Sequence, residues 1–162
     1  MAGSPTEDPG GTARPAPRGP GGLSIDEEGR LLVHGEPVTH ARTLEVLWRS
    51  LERLPDGSWQ VRVGAESAAV AVSETPWAVR SAVPDGGGFT LWLPDGSREP
   101  LDPGSLRLGR DGVLRCTLAN GCRARFTRAA QLSLGAQLEE DASAPAGFRL
   151  KLGGQSFPLG SE

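Results

Sequence analysis

The sequence is poor in the side chains that do chemistry. Its 162 residues include no Tyr, one Lys (Lys151), one Asn (Asn120), two His and two Cys. Most catalytic roles draw on those residue types, working beside Asp, Glu or a metal, so the shortage closes many routes to an enzyme. No run approaches the roughly 18 apolar residues of a membrane helix. No apolar segment follows the first charges, so no signal peptide is expected. Two cysteines without a secretory signal point to a reducing, cytoplasmic setting. His34, His40, Cys116 and Cys122 do not fall at the spacings of a structural zinc site, so no metal is expected. Gly86-Gly87-Gly88 lacks the Gly-Lys-Ser/Thr ending of a phosphate loop and follows Pro84-Asp85, so it reads as a turn, and no cofactor is expected.

The scarcity of lysine leaves arginine as the cation, 16 against one, in a chain of net charge −3 and isoelectric point near 5.5. Arg rises together with Ala, Gly and Pro, as GC-rich coding produces, and the acidic balance argues against a general binder of nucleic acid.

Glycine and proline are abundant, at 23 and 14, and lie mostly between apolar runs, the pattern of many short strands joined by turns. Residues 1–22 contain almost no large apolar side chain and read as a disordered tail. A short strand is expected at Leu31–Val33. Thr39 is a plausible cap for a helix running to about Arg53, with Leu44, Leu47, Trp48 and Leu51 at i, i+3, i+4, i+7. Alternating runs from Trp59 and Ala68, and a third from Trp77 to Val83, read as strands. Pro84 to Gly88 reads as a loop between an N-terminal lobe, residues 23–83, and a C-terminal lobe, residues 84–162. Further strands are expected at about 98–101, 105–109 and 113–118. A second helix is expected from Thr127 to about Leu138, then an acidic loop at Glu139–Asp141 and a closing hairpin from Phe148 to Phe157. Trp48, Trp59 and Trp77 read as core. Trp92 faces opposite Phe89, Leu91 and Leu93, as a residue on a contact surface or at a lobe interface would.

Several segments occur together in an order that resembles a known family. They are Asp26 to Gly29, His34-Gly35-Glu36-Pro37-Val38, Asp56-Gly57-Ser58-Trp59, Ser73-Glu74-Thr75-Pro76-Trp77, Ala124-Arg125-Phe126-Thr127-Arg128, and the closing Gly153-Gly154-Gln155-Ser156-Phe157-Pro158-Leu159-Gly160. Over roughly residues 23–160 the chain resembles the bacterial domain-of-unknown-function 1285 family. In the second helix Ala130 and Gln131 stand where that family usually has aromatics. The resemblance implies an α+β N-terminal lobe followed by a β-rich roll, and it implies no activity.

The segment around Asn120-Gly121 carries the main functional expectation. A three-residue loop with Gly121 in the left-handed conformation pairs Leu118 with Cys122, Cys116 with Ala124 and Leu114 with Phe126, which makes one face wholly apolar. Both cysteines then point inward and do not form a disulfide. The other face sets Arg115 opposite Arg125 and Arg123 opposite Thr117, with Arg107 and Arg110 nearby and Arg128 opening the next helix. Residues 105–130 hold six Arg and one Asp, while residues 23–104 hold 13 acidic and seven basic residues. Arginine suits paired contacts to carboxylate or phosphate.

These observations lead to an α+β protein with one main helix on a small antiparallel sheet, followed by a β-rich roll with a short helix. The expected function is a bacterial, non-enzymatic binding or interaction module. Arg115, Arg123, Arg125, Arg128 and Arg107 would receive an anionic small molecule or an acidic protein surface. A plainer outcome for that face is a solvated surface paired with Glu139, Glu140 or Asp141. The alternative function is a hydrolase-like enzyme using carboxylates in a cleft between lobes, with Asp26, Glu36 or Glu74 as candidates. Nucleic-acid binding ranks below both.

Overall fold

The structure, a computed structural model, describes residues 22–162. The tail expected at the N-terminus lies outside the described residues, apart from Gly22.

The first half builds one sheet and one helix. Its strands are β1 (Leu23–Ile25), β2 (Leu31–Val33), β3 (Glu36–Pro37), β4 (Leu51–Arg53), β5 (Trp59–Val63) and β6 (Glu66–Val72), in the order β3-β2-β1-β6-β5-β4. Helix α1 (Ala41–Ser50) lies between β3 and β4 in sequence. Its cap is His40 rather than Thr39, because the His40 ring nitrogen accepts the Thr43 N–H at 3.3 Å. It stops at Ser50 because Leu51–Arg53 is captured by β5 as an antiparallel neighbour. Trp48 is the buried anchor of its apolar face. The sheet is not wholly antiparallel as expected. β1 runs parallel to β6, with Ile25 beside Val72. A small core forms from Leu23, Ile25, Leu31, Trp48, Val61 and Val70.

The second half is richer in sheet. β7 (Ala78–Val79), β8 (Ser81–Asp85), β9 (Gly88–Trp92) and β10 (Arg98–Pro100) come first, then a 3-10 turn (Pro103–Ser105). β11 (Arg107–Leu108), β12 (Leu114–Thr117), β13 (Arg123–Phe126), α2 (Arg128–Gly135), β14 (Leu138–Glu140), β15 (Phe148–Leu152), β16 (Gln155–Pro158) and β17 (Gly160–Ser161) follow. The strands form three sheets, β10-β9-β8, β17-β11-β12-β13-β7 and β14-β15-β16. Pro84 and Asp85 are the last residues of β8, and the chain reverses at Gly86-Gly87. They sit in a hairpin rather than in a loop between lobes, and the two hydrophobic clusters part earlier, between Val72 and Val79. Helix α2 ends at Gly135, so Glu139 and Glu140 lie in β14 paired to β15 rather than in an acidic loop. A larger core gathers around Val79, Phe89, Leu106, Leu114, Leu134 and Leu150. Trp92 is outside both cores. It is 39% exposed and its ring carries the Arg98 guanidinium at 3.8 Å, so it is not at a lobe interface.

Both halves together give the α+β architecture expected from the sequence. Among the described residues, no helix is long and apolar enough to cross a membrane.

Candidate functional site

The β12–β13 hairpin has the register that apolar alternation demands. Arg115 pairs with Arg125, Cys116 with Ala124 and Thr117 with Arg123, and Gly121 takes a φ of 81°. A left-handed residue with no Cβ closes such a loop at least cost. Cys116 is buried and Cys122 half-buried, both as free thiols, and burial pushes the Cys116 thiol up to about 12. The neighbouring strand β11 sets Arg107 beside Arg115, so three arginines lie in a row across β11, β12 and β13.

That row is not an open cationic face, because Arg115 is only 5% exposed. Its Nε and Nη2 donate to the two Glu74 carboxylate oxygens at 3.0 and 2.8 Å. Nη1 and Nη2 donate to the two Asp111 oxygens at 3.0 and 2.7 Å. Nη1 also donates to the Val113 carbonyl at 3.3 Å. A guanidinium has about five N–H donors, and here each of them has a partner. Arg123 is paired to Glu162, and Arg125 lies 3.6 Å from both Glu27 and Glu74. Three arginines, 115, 123 and 125, therefore meet four carboxylates, Glu27, Glu74, Asp111 and Glu162. The offset to their mutual repulsion comes from within the chain. It comes neither from Glu139, which takes Lys151, nor from Asp141, which takes Arg149.

The electrostatics follow from these contacts. Hydrogen bonds from Arg115 hold the Glu74 and Asp111 carboxyls well below their usual range, and the same bonds raise Arg115 further. Gly109 is part of the arrangement, since a Cβ there would collide with the Arg115 guanidinium and the Asp111 carboxylate. Arg107 donates to the carbonyls of Gly104 and Leu106, at 2.9 and 3.0 Å, and lies over Gly160.

Arg128 is different. It is the first residue of α2, is exposed, and makes no ion pair or side-chain hydrogen bond among the described residues. It lines an open groove of about 460 Å³ together with Arg125, Glu28 from the β1–β2 turn, Asp111, Gln131 and the 69%-exposed Leu132. The groove thus runs between the first lobe and the start of α2. Sequence patterning placed Arg128 at the helix start. It gave no sign that Arg128, rather than Arg115, keeps a free charge.

The carboxylates named for an enzyme do not converge. Asp26 accepts from the backbone N–H groups of Glu28 and Arg30 and from the Arg30 side chain at 2.7 Å, Glu36 is exposed on edge strand β3, and Glu74 is committed to Arg115. His34 is exposed at the β2–β3 turn with a φ of 51°. Among the described residues no group of three or more His, Cys, Asp and Glu side chains is placed to hold a metal.

The fold and this seam define a two-lobed α+β protein whose lobes are joined through a buried arginine. The backbone is similar to that of solved proteins of the DUF1285 family. One is from Silicibacter pomeroyi, with a TM-score of 0.63 and 18% identity over 85% of this chain and 79% of that one. A second is from Shewanella baltica, with a TM-score of 0.55 and 15% identity over 72% of this chain and 92% of that one. This chain has the DUF1285-type fold. No protein-family model matches the sequence, and no curated protein matches it significantly.

Proposed function

We propose that the protein is a bacterial, cytoplasmic, non-enzymatic binding module that takes an anionic small molecule in the groove at the start of α2. The observation that carries this reading is the contrast between two arginines. Arg115 has spent all its donors inside the protein, whereas Arg128 has none committed among the described residues and faces a groove. Arg125 supports it, because contacts at 3.6 Å leave its guanidinium able to reach a ligand oxygen. The functional face therefore shifts from the centre of the hairpin to its far edge. Arg115, Arg123 and Arg107 serve as framework.

The test is a thermal-shift screen with phosphates, nucleotides and mono- and dicarboxylates, followed by calorimetric titration of any stabilising compound. A ligand at about 100 times its dissociation constant adds about 2.7 kcal/mol of stability, which moves a domain of this size by several degrees. Arg128→Ser should reduce the shift at every ligand concentration and leave the melting temperature of the unliganded protein unchanged. An identical shift in that variant would place the anion elsewhere.

A further inference from the structure

Next to the anion groove opens a second pocket, of about 250 Å³, walled by Leu108, Leu114, Leu138, Phe148 and Leu159. Leu114 and Leu159 are each 1% exposed, so its floor belongs to the larger core. The two cavities share Gly112 and Gln131. Gln131 forms the sill between them, since its Nε2 donates to the Gly112 carbonyl at 2.7 Å and its Oε1 accepts the Leu114 N–H at 3.0 Å. Exposed Leu132 extends the apolar surface on the groove side. A groove that sets Arg128 and Arg125 among Glu28 and Asp111, and an apolar pocket, thus share one side chain as part of their walls.

Resting on the anion-binding reading above, we propose that the ligand is an aliphatic carboxylate, with its head group at Arg128 and Arg125 and its hydrocarbon chain crossing Gln131 into the leucine-lined cavity. Charge complementarity selects the head group. The lining selects the tail. A peptide would carry amide groups into the cavity, and buried amides need partners. The polar side chain on that wall, Gln131, uses its Oε1 and one of its two Nε2 hydrogens on the backbone, so it has at most one donor left for a string of amides. A hydrocarbon makes no such demand. The volume lies below the roughly 300–1,000 Å³ of pockets for drug-sized ligands, which limits the tail to a short or medium chain.

The experiment is calorimetric titration of the full chain with butanoate, hexanoate, octanoate and decanoate. Affinity should rise about fourfold per added methylene, the factor that about 0.8 kcal/mol per buried CH₂ gives, and level off once the cavity is full. Leu138→Trp, which fills the cavity, should erase the chain-length dependence and keep the weak binding of butanoate. Leu108→Trp provides a second filling variant should the first unfold, with circular dichroism as the check. Arg128→Ser should weaken every chain length by a similar factor and preserve the slope. Affinity that ignores chain length yet falls in Arg128→Ser overturns the acyl-chain assignment and leaves the anion groove standing. Binding of a peptide ending in leucine without binding of octanoate also overturns it. No binding of any carboxylate, with phosphate binding lost in Arg128→Ser, overturns it in the same way, whereas a phosphate response untouched by that variant removes both readings.

Discussion

Arg115 shows how one side chain can be both buried and charged. Desolvating a guanidinium costs several kcal/mol, and the cost is offset only where geometry and hydrogen bonds are complete. Glu74 and Asp111 each grip it in paired fashion, and the Val113 carbonyl completes the set. Arg115→Leu would leave Asp111 without its cation and Glu74 with only the longer contact to Arg125. Because both carboxylates stay partly in water, it should lower stability by about 1.5 to 3 kcal/mol, the range for hydrogen bonds to charged groups, read from the shift in urea midpoint. The pH dependence follows from the same contacts. Both carboxyls are held below their usual values in the folded state, so they bind protons more readily when unfolded. Their stabilisation is complete above the ordinary carboxylate range, about pH 4 to 5, and is lost as pH falls through the lowered folded values. Urea midpoints should therefore drop on acidification below about pH 4, and the drop should be shallower in Arg115→Leu. An equally steep acid limb in the variant would show that other carboxylates set it.

Among the elements, α2 is anchored to the strands through one residue. Thr127 caps it, with its Oγ1 accepting the Ala130 N–H at 3.3 Å, and the same hydroxyl donates to the Arg80 carbonyl at 3.3 Å. The Thr127 N–H donates to Val79 and continues the parallel ladder of β13 on β7. One threonine thus fixes the helix start, and through it Arg128 and Gln131, against the strands. Thr127→Ala should cost about 1 kcal/mol, the usual loss at a cap, and should weaken anion binding as well. Thr127→Ser, which keeps the cap oxygen, should restore most of both. Stability restored by Ser without binding would mean that the helix start does not position the site. The acidic partners at this seam come from other elements, Glu27 from the β1–β2 turn and Glu74 from the segment between β6 and β7.

For the whole molecule, the two lobes differ in the core they can muster. Six of the described residues form the buried cluster of the first lobe and 16 that of the second. Hydrophobic stabilisation scales with the apolar area removed from water, so the first lobe leans on what ties it to the second. Those ties are the Glu74–Arg115 pair, the Thr75 hydroxyl donating to the Arg123 carbonyl at 2.7 Å, and Trp48 against Trp77 with ring centroids 6.0 Å apart. Amide hydrogen exchange should show lower protection for β1, β2 and β6 than for β12 and β13. In Arg115→Leu the protection of the first group should fall further than that of the second. Equal losses in both would mean that the lobes open as one unit.

The sequence by itself determined what is encoded over a few residues. Period-two alternation and Gly121 set the register of β12 on β13, because a slip of one residue would turn Leu114, Cys116, Ala124 and Phe126 outward. Helical spacing located α1, and both helices run shorter than expected because β4 and β14 are recruited by partner strands. The resemblance carried the two-lobed α+β plan. Only the tertiary structure decided which charges stay free. Glu74 lies 41 residues from Arg115 and reaches it through the pairing of β7 with β13, and Glu162 returns beside it through the pairing of β17 with β11. Local pattern says which face a side chain takes. Whether that face meets water or a remote carboxylate depends on how distant strands pair, and this pairing buries Arg115 and leaves Arg128 at the mouth of a groove.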